Sequence, residues 1–373
     1  MVLRFYPKKD ATIYEEDPFK NTGMDAILDI SKVLITSPTF ESASYASRIL
    51  LDFDYPNISS SIVALGYNPN LFTYNLKLRS TQGVEIPADY TVYCYPVSGA
   101  WDMGIGRNIN VPDTTQGVSW TYRLGKLDPS TAWRTSSYAA GSTGSYAMSS
   151  SAGGGTWYTS SVVSQSFSYT TSNLNLNVTS IINQVQSSSI VFTGFILKKS
   201  DSDELSHSIS SNSLMFFSKE TGTVYLPTLE ASYADNTSAG SLETIDNTTR
   251  DINPVVVNLQ PSYVENTRPK IRVSARYTYP TITFSTSSAY LDRYRFPSGS
   301  QYAIYDAHTD DAIIEFSNYT LLSDDATSNY INLHLDSFQP QRYYRLVLKI
   351  PMSGSLVDYQ IYDNKWTFKV ARS

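Results

Sequence analysis

The 373-residue sequence holds one cysteine, three histidines and no apolar run near the ~18–20 residues that cross a bilayer. A single thiol, Cys94, excludes an internal disulfide and reads as a buried, inert side chain within a strand. Charged residues make up only 17% of the chain, and the net charge is −6. That balance argues against a nonspecific grip on nucleic acid. The opening MVLRFYPKKDATIYEED lacks the apolar core of a secretory signal, so a soluble chain made in the cytoplasm, without membrane association, is expected. Gly104-Ile-Gly106 has no third glycine and follows a tryptophan, so it is no dinucleotide fingerprint.

Hydrophobic residues amount to 41%, enough for packed cores, and tyrosine alone occurs 29 times. Tyr, Val, Ile and Thr suit pleated surfaces. Alternation is visible throughout: Leu76 and Leu78 against Lys77 and Arg79, Ile271 and Val273 against Arg272 and Ser274, Leu346 and Leu348 against Arg345 and Lys349. Period two puts one face inward and one outward. The expected class is therefore all-β. One helix is expected over 179–185, with Ile181, Ile182 and Val185 on one face and Thr179 as its N-cap. The polar, turn-rich stretch 234–254 reads as a linker, and 255–373 carries about seven short strands at the spacing of an Ig-like β-sandwich.

Residues 101–160 differ from the rest. Four of the five tryptophans fall there, beside a Gly/Ser-rich insertion near 137–160. Trp101 and Trp120 read as core. Trp157 and Tyr158 follow three glycines and read as exposed. Together with Tyr138 and Tyr146 they form the candidate interface, aromatic anchors in an adaptable Ser/Gly setting.

The sequence offers little for catalysis. His207 lies in a polar loop and His308 in a turn, while His334 shares an expected strand face with Asn332 and Asp336. Two ligands on a solvated face do not make a metal site. Asp201-Ser-Asp-Glu204 offers oxygens for Ca²⁺ without the glycine and spacing of an EF-hand loop. Glu15-Glu16, Asp310-Asp311 and Asp324-Asp325 are sequence neighbours, which on a strand point to opposite faces, so none makes an acid/base pair. No enzyme activity, metal or cofactor is expected.

A set of motifs in the first 233 residues resembles the DNRLRE, or disaggregatase-related, carbohydrate-binding-like jelly roll. The set comprises Ala11-Thr-Ile-Tyr14 with Asn21-x-Gly23 and Leu28, Arg48-Ile-Leu-Leu-Asp-Phe-Asp54, Leu76-x-Leu78, Trp101 with Gly117-Val-Ser-Trp120, Val178-Thr179 opening a short helix, Gly194-Phe-Ile-Leu197, Phe217-Ser-Lys-Glu220 and Pro227-Thr-Leu-Glu-Ala-Ser-Tyr233. Trp101-Asp-Met-Gly-Ile-Gly106 and Gly153-Gly-Gly-Thr-Trp-Tyr158 are similar to the version found in structural proteins of tailed-bacteriophage virions. Tyr302-Ala-Ile-Tyr-Asp306 and Leu335 to Arg345 are similar to the C-terminal Ig-like unit of the same proteins. The resemblance implies a jelly-roll β-sandwich over 1–233 followed by an Ig-like β-sandwich. It implies a neck, collar, tail accessory or fibre-attachment component, with other virion proteins as partners in a symmetric multi-copy assembly and the virion as its location. The alternative is a glycan-binding adhesion module for host-surface polysaccharide.

Overall fold

The computed structural model describes residues 1–35, 43–81, 90–127, 131–133, 153–167, 173–205, 212–248, 252–279, 293–352 and 358–372. The protein is all-β and divides into two compact units, Phe5–Ala231 and Met1–Arg4 with Ser232–Ser373. We refer to them as the N-terminal and C-terminal units.

After β1 (Val2–Phe5), of which Val2–Arg4 belong to the C-terminal unit, the N-terminal unit contains β2 (Lys9–Tyr14), β3 (Ile27–Ile35), β4 (Ala43–Asp52), β5 (Thr73–Leu78) and β6 (Tyr90–Pro96). It continues with β7 (Val163–Phe167), β8 (Leu174–Asn177), β9 (Phe195–Lys199), β10 (Asn212–Phe217) and β11 (Thr228–Ser232). One sheet runs β1-β11-β5-β8; the other contains β4-β9-β6-β7, extended past β4 by β3 and β10. Numbering β1, β4, β5, β6, β7, β8, β9 and β11 as eight strands puts the first, eighth, third and sixth in one sheet. The second, seventh, fourth and fifth make the other, which is the interleaving of a jelly roll. Strand β4 is shared: its Ala43–Ala46 half pairs with β3, and Ser47–Asp52 pairs with β2. Alternation is realised where it was read, with Tyr74, Leu76 and Leu78 of β5 buried and their neighbours half-buried.

Helices differ from expectation. The expected one, α2 (Thr179–Gln186), buries Ile181 and Ile182. Its N-cap position is Val178 rather than Thr179, and the Thr179 hydroxyl accepts from Tyr74 N at 2.9 Å, joining the helix to β5. A second helix, α1 (Tyr55–Ala64), follows β4 directly and buries Tyr55, Ile58 and Ile62. Pro56 in its first turn presets the backbone. A short α3 (Asp201–Leu205) follows β9.

The C-terminal unit contains β12 (Glu243–Thr244), β13 (Val255–Val256), β14 (Ser262–Val264), β15 (Lys270–Ser274), β16 (Tyr294–Arg295) and β17 (Gln301–Asp306). It ends with β18 (Ala312–Ile314), β19 (Ser323–Asp324), β20 (Asn329–Asn332), β21 (Arg342–Pro351) and β22 (Tyr359–Ala371). The sheets β13-β15-β20-β19 and β14-β22-β21-β17-β18 match the A-B-E-D and A′-G-F-C-C′ orders of an Ig-like sandwich. Strand β14 pairs parallel with β22, and the Tyr344 hydroxyl donates to Gln339 O at 2.9 Å, a tyrosine corner at the start of β21. Ile271, Val273, Ile304, Leu346, Leu348 and Phe368 fill the core.

The stretch 234–254 is not a free linker. Ile245 is fully buried in this core, β12 pairs with β16, and Asp324 accepts from Ser238 Oγ and Gly240 N. A polar composition concealed one anchoring isoleucine. Val2 packs into the same core.

Candidate functional site

Two of the N-terminal motifs, Trp101–Gly106 and Gly117–Trp120, meet at Asn21, which is fully buried. Its Nδ2 donates to Met103 O and Val118 O at 2.7 Å each, and its Oδ1 accepts from Gly106 N at 2.7 Å. Its backbone N–H donates to Thr114 O at 2.8 Å. One side chain thus satisfies both ends of the loop that begins at Trp101. The glycines are required by proximity. A Cβ on Gly104 would lie 2.4 Å from Asn21 Oδ1, and one on Gly106 would lie 2.2 Å from Asn21 O. Met24 N donates to Gly106 O, Asn108 N to the Asp25 carboxylate, and Lys126 N to Thr115 O. Burial raises the Asp25 pKa, opposed by that Asn108 hydrogen bond. Phe19 stacks on Tyr122 at 6.0 Å, with the Lys126 ammonium 4.5 Å from the Phe19 ring centroid.

This hydrogen-bonded scaffold turns apolar side chains to solvent. Val111 is 95% exposed, Leu127 84% and Ile109 82%; Ile105, Leu124 and Phe19 are also exposed. Each such side chain forgoes about 1.5–3 kcal/mol of burial free energy. Apolar residues concentrated on an ordered loop mark an interaction surface more than a folding requirement. The assembly 17–25 with 101–127 is the candidate functional site.

The four loop tryptophans do something else. Trp101, Trp120, Trp133 and Trp157 are buried over one face of the larger sheet, with Ala11, Ile13, Ala46, Leu50 and Ile196 beneath them. At about 150–250 Å² each, their burial contributes about 4–6 kcal/mol apiece. The guanidinium of Arg48 lies between Trp120 and Trp157, 4.7 and 5.3 Å from their ring centroids. It pairs in bidentate fashion with Glu204 of α3, Nη2 to Oε2 at 2.6 Å and Nε to Oε1 at 3.2 Å. Lys198 reaches the same carboxylate at 3.2 Å. A desolvated pair between two rings clamps α3 and the Gly154 segment onto the sheet.

Two candidate interface residues are corrected by this core. Trp157 is only 2% exposed and Tyr158 only 5%. The preceding glycines are there for close packing: Gly153 has φ +135°, and a Cβ on it would lie 2.3 Å from Trp120 O. Tyr138 and Tyr146 lie outside the described residues, as does His207. The exposed residues 105–127 escaped the sequence reading because isolated apolar residues in a turn-rich loop carry no period.

No catalytic constellation forms among the described residues. His308 is exposed and stacks on Tyr343. His334 is buried beyond the end of β20, so it does not share a solvated strand face with Asn332 and Asp336; burial lowers its pKa. Within Asp201-Ser-Asp-Glu204, the Glu204 carboxylate is committed to Arg48 and Lys198. Asp325 is held well below the usual carboxylate range by Arg272 and Lys270. Burial raises the Cys94 thiol pKa. No group of three or more His, Cys, Asp or Glu among the described residues is placed to hold a metal, and no helix among them is long and apolar enough to cross a membrane.

No family model matches the chain, and no curated protein matches it. Among solved structures it is similar to the adhesin domain of Epf from Streptococcus pyogenes, at 8% identity and TM-score 0.17, over 99% of this chain and 98% of that one. It is also similar to a DUF4785 family protein from Legionella pneumophila, at 7% identity and TM-score 0.16, over 100% of this chain and 62% of that one. Overlap at that level carries neither function nor mechanism to this protein.

Proposed function

We propose that this protein is a structural component of a tailed-bacteriophage virion, at a neck, collar, tail accessory or fibre-attachment position. It acts by protein–protein binding and turns over no substrate. The observation that carries the binding role is the Asn21-centred scaffold, rigid by its hydrogen bonds and apolar on its outer side. Preorganised loops lose little entropy on docking, and their exposed aliphatic side chains gain burial in a partner's pocket. The virion setting rests on the sequence resemblance of Trp101–Gly106 and Gly153–Tyr158 to structural proteins of tailed-bacteriophage virions. The partners are then neighbouring virion subunits.

The test is incorporation of the full chain into particles. Ile109→Asp with Leu127→Asp changes only exposed positions, so folding by thermal melt is expected to stay unchanged. Incorporation is expected to fall at least tenfold, the equivalent of about 1.4 kcal/mol. Normal incorporation of a folded double variant would remove the proposal.

A further inference from the structure

The outer face of the five-stranded sheet in the C-terminal unit has a composition that packing does not call for. On β21 the positions of that face are Tyr343, Arg345, Val347 and Lys349, of which Val347 is buried and the other three are at least partly exposed. Opposite them on β22 stand Lys369 beside Tyr343 and Ile361 beside Lys349. Two stations result. At one, the Lys349 ammonium sits 4.0 Å from the ring centroid of Tyr359, which is half exposed. At the other, Lys369 lies 5.8 Å from the ring centroid of Tyr343, whose ring also stacks on His308. Six residues of strand separate Tyr343 from Lys349, about 20 Å.

Charge on this face is uneven. Arg345 is neutralised by Asp310 and Asp363. Lys349 and Lys369 have no ion-pair partner among the described residues. Between them the register of β22 breaks, and Lys365 stands exposed on the bulge. Cations therefore recur along the stripe on a chain whose net charge is −6.

We propose that this face binds an acidic polysaccharide, laid along β21, with sugar faces on Tyr343 and Tyr359 and carboxylates on Lys349, Lys365 and Lys369. Tyrosine rings beside ammonium groups present apolar area and positive charge together, which a sugar acid matches and a neutral hydrocarbon does not. A nucleic acid strand would lay about six phosphates over the same ~20 Å, against a few cations and the carboxylates of Asp310 and Asp363. Widely spaced charge fits a glycan bearing one acid every few rings. The site is distinct from the Asn21 loop and does not rest on the virion reading.

Affinity electrophoresis of the full chain tests it, with hyaluronate (one carboxylate every second sugar) in the gel against neutral dextran. Retardation by hyaluronate, weakening as salt rises, and none by dextran are expected. Lys349→Glu with Lys369→Glu is expected to weaken binding at least tenfold, and Tyr359→Ala at least threefold, with thermal unfolding unchanged. No retardation of the parent, or equal retardation of the charge-reversed variant, would overturn the proposal. So would tighter binding to polyglutamate or to an oligothymidylate than to hyaluronate.

Discussion

Asp10 on β2 is fully buried, and its Oδ1 has no hydrogen-bond partner. Its Oδ2 accepts from Lys219 N at 2.6 Å. Burial outweighs that bond and pushes the pKa up to about 7. Because the folded value lies above the unfolded one, the native state holds the proton more tightly. Its contribution to stability is complete below about pH 4 and is lost as the pH rises through about 7. Asp10→Asn keeps an acceptor for Lys219 N and removes the charge. The variant is expected to exceed the parent in stability at pH 8 by about 2–4 kcal/mol, with the gap closing near pH 4. Urea unfolding across that pH range measures it, and a gap independent of pH would refute the assignment. The same scale explains the tryptophans. Trp157 was misread because three glycines suggest looseness, whereas Gly153 meets Trp120 O too closely for any side chain. Asn21 was legible as a motif residue, but no local rule says that its amide would reach Met103, Gly106 and Val118.

Elements show how the sheets end. Strand β8 is an edge, and exposed edges invite pairing with foreign strands. Here Gln165 of β7 stands in for a strand: its Oε1 accepts from Asn175 N at 2.7 Å and its Nε2 donates to Asn173 O at 2.9 Å. Asn258 likewise bridges β15, an inner strand whose Lys270–Arg272 part runs past the two-residue β13, donating to Lys270 O and accepting from Arg272 N. Gln165→Ala is expected to cost about 1–2 kcal/mol through two lost hydrogen bonds, seen as a lower denaturation midpoint. The same substitution is expected to raise aggregation on heating, followed by light scattering. An unchanged midpoint would show that water replaces the amide without loss. Strands were readable at this scale because their side chains alternate. Helix α1 was missed because Tyr55, Ile58 and Ile62 span fewer than three turns directly after a strand.

The whole molecule joins sequence ends that composition keeps apart. Val2 belongs to the core of the C-terminal unit, together with Ile245 and Ile252 from the stretch read as a linker. Val2→Ala is expected to cost that unit about 2 kcal/mol, which accelerates amide exchange up to about thirtyfold. Hydrogen exchange is expected to show it in β17 and β21, with Ile49 and Leu76 peptides unchanged; exchange faster only in the latter would contradict the assignment. An all-β class follows from the sequence alone, because alternating strands with almost no helical period between them leave other sheets as the main cover for their apolar faces. Which residues became core, clamp or surface was decided by tertiary structure. Arg48 and Glu204 are far apart in the chain, as are Asn21 and Val118, and only sheet pairing and loop closure bring them within hydrogen-bond distance. Local pattern specifies which way a side chain points, whereas packing alone specifies what it meets.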